Sequence, residues 1–126
     1  MSVDVSAVLR IGWIVDHDEA VNYGELAEYD FEELDSIDGV YDGCDWVDFV
    51  NDYDSKSPVA IGWRPDFRKS DPHGSTPYAT VPLSTEEFAS QFQDPANDEA
   101  ARKVYEAVTG HPPATDPVPV LYERWH

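Results

Sequence analysis

The sequence predicts an α+β domain: a small antiparallel or mixed sheet of about four strands with three to four helices, the acidic helices in the first half. Three observations lead there. Runs rich in β-branched and aromatic residues alternate with runs of helical period. A length of 126 residues is one domain, spanning 1–126. Hydrophobic residues make up 41% of the chain, and 13% of it is aromatic, enough for one core without disulfide or metal staples.

The elements follow in order. Residues 7–15 (Ala-Val-Leu-Arg-Ile-Gly-Trp-Ile-Val) read as a strand, ended by the acidic cluster Asp16-His17-Asp18-Glu19. Residues 24–35 read as a helix with Leu26, Tyr29, Leu34 and Ile37 on an apolar stripe. Its other face presents Glu25, Glu28, Glu32 and Asp35, three or four residues apart and so adjacent in space. A second helix is predicted from Cys44 to Tyr53, with Trp46, Phe49, Val50 and Tyr53 at i, i+3, i+4 and i+7. Asp45, Asp48 and Asp52 then line its outer face.

In the second half, Pro58–Arg64 and Tyr78–Leu83 are strand signals, separated by the polar, proline-rich loop Pro65–Pro77. Gly12 and Gly62 each precede a tryptophan inside a strand, where a bulge or close packing is expected. Ser84-Thr-Glu-Glu87 is a capping box, opening a helix that carries Phe88 and Phe92 inward. The next helix is predicted over Pro95–Thr109, with Asp94 as N-cap, Ala100, Val104 and Val108 inward, and Gly110 just past its end. Val118–Trp125 is a last strand, and Pro117 and Pro119 place it at an edge. The expected order is β-α-α-β-β-α-α-β, with the helices covering one face of the sheet.

Charge is the strongest signal in the chain. Between Asp16 and Asp54 there are fifteen acids in thirty-nine positions and no Lys or Arg. Such blocks usually stay unfolded. This one carries enough large apolar residues, from Tyr23 to Tyr53, to fold into a rigid anionic surface. The net charge is −18, and it is uneven: residues 1–57 hold sixteen acids against two bases (Arg10 and Lys56), residues 58–126 ten acids against six bases. Adaptation to a high-salt cytoplasm would spread the acids over both halves.

Chemical motifs are sparse. The lone Cys44 excludes an internal disulfide framework and a multi-cysteine zinc site. Placed between Asp42 and Asp45, its thiol pKa is expected to rise, opposite to what a nucleophile needs, and the residue reads as half-buried on a helix. His17, His73, His111 and His126 are scattered, with no pair at i+4. No segment satisfies the EF-hand pattern; Asp38-Gly-Val-Tyr-Asp42-Gly-Cys-Asp45 could hold a hard cation loosely, and Asp and Gly acting as turn residues explain it more simply. Phosphate-binding loops, dinucleotide fingerprints and nucleophile elbows are missing. With 26 acids, some carboxylate pair always looks suitable for glycoside hydrolysis, so that signal carries no weight. The chain is therefore read as a non-enzyme without cofactor or metal. Direct nucleic-acid binding is excluded by charge, since Arg64, Arg68 and Lys69 form the only basic cluster and read as a solvated loop. No apolar run reaches a membrane span and no leader pattern is seen, so a cytoplasmic protein is expected.

The same electrostatics point towards a basic partner. Duplex DNA presents one negative charge per about 1.7 Å of axis, and carboxylates at helical spacing, about 5–6 Å apart, approach that density. Glu25, Glu28, Glu32 and Asp35 supply one row; Asp42, Asp45, Asp48 and Asp52 supply a second. Tyr29 and Trp46, with Tyr23 and Tyr41 nearby, are candidate anchors, since aromatics dominate interface energetics. In size and charge the chain resembles the DNA-mimic inhibitors of phages and mobile elements, which include anti-CRISPR proteins and inhibitors of restriction or repair enzymes. The resemblance is compositional and covers chiefly residues 16–54; no family motif comes with it. It implies an inhibitor that blocks the basic nucleic-acid channel of a target protein. Two other readings stand beside it: a small accessory or immunity-type module that binds a basic protein for reasons unrelated to DNA, and a salt-adapted domain.

Overall fold

A computed structural model describes residues 4–23, 32–65, 84–90 and 92–126. Four strands, β1 (Val5–Val15), β2 (Val47–Phe49), β3 (Val59–Trp63) and β4 (Val118–Trp125), form one antiparallel sheet in the order β2-β3-β1-β4. The α+β class and the four-stranded sheet agree with the sequence reading, as does the edge position of β4.

The helix count does not. Among the described residues two helices exceed a single turn, α1 (Thr85–Ser90) and α2 (Pro95–Thr109), rather than three to four. A helical turn at Glu32–Asp35 is the described part of the helix expected over 24–35; the rest of that helix lies outside the described residues, as does the strand expected over Tyr78–Leu83.

The second correction concerns Cys44–Tyr53. A 3-10 turn, Gly43–Asp45, leads directly into β2 instead of into a helix. Trp-Val-Asp-Phe-Val satisfies both periods on paper. Pairing decides: Val47↔Ile61 and Phe49↔Val59 carry both side chains onto the core face of β3, while Asp48↔Ala60 turns the acid to the opposite face. A strand here also pairs the outward backbone groups of Ala60 and the outward N–H of Gly62 in β3, which a helix would leave open.

Helix α2 is the best-specified element. The Asp94 carboxylate accepts the Asn97 N–H at 3.1 Å, Pro95 takes the first helical position, and Gly110 closes the helix in the left-handed conformation (φ 84°). Ala100, Ala101, Val104, Tyr105 and Val108 are buried in one core with Ile11, Trp13, Val15, Val59, Ile61 and Trp63 from the sheet. Trp13 and Tyr105 meet edge to face with ring centroids 5.0 Å apart. Leu34 and Val40 join the same core, which tethers the acidic 32–45 segment to it. Phe92 packs partly buried against its border, as expected.

The sheet is rolled. Past the end of β2, Asn51 bridges Trp125 in parallel; the Asp52 N–H donates to the Trp125 carbonyl and the Trp125 N–H to the Val50 carbonyl, each at 2.9 Å. The two edges of the sheet thus meet. Tight coiling needs close backbone approach, which Gly12 and Gly62, paired directly across β1 and β3, allow. A Cβ on Gly12 would run into the Ile61 carbonyl oxygen, and one on Gly62 into that of Ile11.

Candidate functional site

Directly paired strand residues point to one face. The register therefore places Arg10, Tyr122, Arg124 and Asp48 together, on the face opposite α2 and inside the roll. Arg10 is fully buried, with 0% exposure. Its Nη1 donates to the carbonyls of Asp45 and Gly62 (2.8 Å each) and its Nε to the Tyr122 hydroxyl (3.2 Å). That hydroxyl donates on to Asp48 Oδ2 at 3.4 Å. Arg124 Nε donates to Asp48 Oδ1 at 2.7 Å and its second branch to Asp52 at 3.1 Å. Arg64 adds a longer contact to Asp48, 3.5 Å. A buried ionic network satisfied on most sides holds the roll closed.

This network reassigns two predicted interface residues. Asp48 is buried against Arg124 and belongs to the interior, not to an outer acidic row. Trp46 is 7% exposed and sits in the core, so it is no free anchor. Asp52 stays exposed but shares Arg124. Nearby, burial and then the charges of Asp48 and Asp52 push the Tyr23 hydroxyl up to about 12.

The surface is built from turns. Glu32 and Asp35 lie exposed on the single helical turn, and Asp35 Oδ1 accepts the Gly43 N–H at 2.6 Å, fixing the 3-10 turn beside it. Asp42, just before that turn, and Asp45, its last residue, are exposed. Cys44 is exposed, not half-buried on a helix. Its thiol donates to Asp42 Oδ1 at 2.9 Å, and that bond, with burial and the charges of Asp42, Asp45 and Asp35, raises its pKa to about 11. The upward direction expected from sequence holds. Ligand atoms of Asp42, Cys44 and Asp45 lie within 4.8 Å of one another, but a protonated thiol and two exposed carboxylates fall well short of the oxygen shell that calcium takes. Asp45 also lines a cleft of about 390 Å³ with Trp46, Trp63, Arg64 and Asn97.

Of the ten predicted interface residues, then, Glu32, Asp35, Asp42 and Asp45 gather on one exposed turn region. Asp52 is on the neighbouring loop, Asp48 and Trp46 face inward, and Glu25, Glu28 and Tyr29 lie outside the described residues. The exposed aromatic of this region is Tyr41, 98% accessible between Val40, which is buried, and Asp42. Its sequence signal is weak: the turn residues Asp38-Gly39 and Asp42-Gly43 leave room for one of Val40 and Tyr41 to turn inward, and the aliphatic Val40 takes the core.

The two halves treat their acids differently. Among the described residues, Asp48 and Asp52 are the acids of the 16–54 block that meet a guanidinium. In the second half Arg102 bridges Asp98 (2.7 Å) and Asp116 (2.6 Å), and Lys103 pairs with Glu99 (3.6 Å). Among the described residues no helix is long and apolar enough to cross a membrane. No family model, curated protein or solved structure matches the chain.

Proposed function

We propose that the chain is an acidic inhibitor that blocks the basic nucleic-acid channel of a target protein by presenting DNA-like charge, an anti-CRISPR or similar anti-defence role, and that it acts by binding rather than by catalysis. One observation carries this reading: Arg10, the arginine of the acidic half, is turned inward, while carboxylates of the 32–45 region are held outward and, among the described residues, pair with no base. A field of one sign is left unneutralised on a folded frame, and such a field steers a cationic partner and speeds encounter. Glu32, Asp35, Asp42 and Asp45 supply the charge, and Tyr41 supplies an anchor in place of Trp46. Salt adaptation is disfavoured by the uneven charge, sixteen acids against two bases in 1–57 and ten against six in 58–126, where Asp98, Glu99 and Asp116 pair with bases.

A protein-binding module of accessory or immunity type, unrelated to DNA, has one observation in its favour. The described carboxylates sit on turns rather than on two helical rows, so their spacing does not repeat as phosphates do. One experiment separates the two. Protein immobilised through a tag captures partners from nuclease-treated lysate, and duplex DNA is then added to the resin. A mimic releases a nucleic-acid-binding protein to the duplex; a partner that ignores the duplex but leaves in high salt identifies the second reading.

A further inference from the structure

We propose that the free edge of β4, from Pro119 to Glu123, takes an extended segment of the partner as a fifth strand, a segment whose every second residue, on the face of Leu121, Glu123 and Trp125, reads apolar, basic, apolar. The proposal rests on the basic partner inferred above and adds a mode of binding to it. The phase of the ladder comes first. Asp4 and His126 exchange both backbone hydrogen bonds at 2.9 Å, so every second pair inward along the ribbon does the same: Ser6↔Arg124, Val8↔Tyr122 and Arg10↔Val120. The N–H and C=O groups of Leu121, Glu123 and Trp125 therefore point away from β1. At Trp125 both are taken by the 50–52 segment, which shows that this edge accepts a neighbour. Among the described residues no backbone group pairs with the outward side of Glu123 or Leu121, and Pro119, lacking an N–H, ends the ladder.

Side chains and charge fix what such a neighbour looks like. Leu121 is 74% exposed, and on the same face stand Val5 (48%) and Trp125 (41%), an apolar strip that α2 does not cover. Glu123 stands between Leu121 and Trp125, exposed. Arg124, next to Glu123 in the chain, is turned into the roll and held by Asp48 and Asp52. An added strand thus meets free backbone groups, an apolar strip and a carboxylate. A second copy is disfavoured, since it would set a net charge of −18 against its equal. Strand addition of this kind draws affinity from main-chain bonds and specificity from alternate side chains.

The test uses a capped ten-residue peptide of the repeat Val-Thr-Lys-Thr, in which Val and Lys take turns on one face, and the same peptide N-methylated at every second residue to remove the donors of one edge. Binding is read by fluorescence anisotropy at low salt, and amide hydrogen exchange of the whole chain is read by NMR. The expected result is protection of the Leu121 and Glu123 amides by the parent peptide and binding of the methylated peptide about tenfold weaker or worse. Leu121→Pro, which deletes one outward donor, is expected to weaken the parent peptide similarly with unfolding unchanged. If the methylated peptide binds as tightly as the parent, charge alone holds it; strand addition is overturned while the basic-partner reading survives. If neither peptide nor an all-Lys control binds at low salt, both fall. A dimer that tightens as salt rises would assign the edge to a second copy and overturn the proposal.

Discussion

Arg124 and Asp48 belong to opposite edges of the sheet, β4 and β2, yet their side chains meet at 2.7 Å. An open sheet would hold them several strand spacings apart, at about 4.8 Å per strand. The ion pair is thus a direct record of the roll, and it reaches a third group, since Tyr122 links Asp48 to the buried Arg10.

Removing either partner leaves an uncompensated charge in a largely water-free interior. Asp48→Ala is expected to cost about 3 kcal/mol, with Arg124→Ala somewhat less because its head is part-exposed. Urea unfolding followed by tryptophan fluorescence measures both. Asp48→Lys, which as a surface substitution would test binding, is expected to abolish folding, visible as a lost circular dichroism spectrum.

Gly62→Ala asks whether the tight approach of β1 and β3 is indispensable. The added methyl collides with a main-chain carbonyl that cannot rotate away. A loss of more than about 4 kcal/mol, or no soluble protein, is expected. A midpoint within experimental error of the parent in chemical denaturation would show that the strands can separate without loss.

The Cys44 thiol is exposed but protonated at neutral pH, because its pKa is raised to about 11. Alkylation by iodoacetamide should be slow at pH 8 and climb until about pH 11. Asp42→Asn removes the largest cause and is expected to bring the inflection down and speed alkylation at pH 8, as the thiolate is the nucleophile. Equal rates in parent and variant would show that Asp42 does not control the thiol.

Tyr41→Ala and the double reversal Asp42→Lys/Asp45→Lys touch exposed positions only. Neither should move stability by more than about 0.5 kcal/mol. Both are expected to weaken the captured partner, the aromatic mainly through dissociation and the charges through association rate, which surface plasmon resonance separates. Unchanged rates in both variants would move the interface elsewhere.

Helix α2 was legible because its information is local: an N-cap, a proline at the first turn, an apolar stripe and a terminal glycine lie within seventeen residues. β1, β3 and β4 were legible for a similar reason, as their residue types fit strands at any register. What escaped was non-local. The Trp46–Val50 run reads at both periods, and its choice of strand depends on Ile61 and Val59. Likewise Asp48 looks like any other acid until Arg124, 76 positions on, is brought beside it. Local spacing at Asp45–Asp52 could therefore suggest a carboxylate row where the chain in fact turns and buries one member. The exposed Glu32, Asp35, Asp42 and Asp45 were recoverable, since no apolar role competes for them.

Closing the roll through Trp125 has a kinetic consequence. Ile11–Val15 find β3 about fifty residues away, whereas the rest of β1 waits for β4 more than a hundred residues later. Contacts of such long range make folding slow, and here the chain must first collapse against its own negative charge. Until Trp125 has emerged from the ribosome, Arg10 is without its Tyr122 hydroxyl and Asp48 without Arg124, the cation that offsets it inside the roll. Counterions can screen the acids during that interval, so the refolding rate should rise with salt.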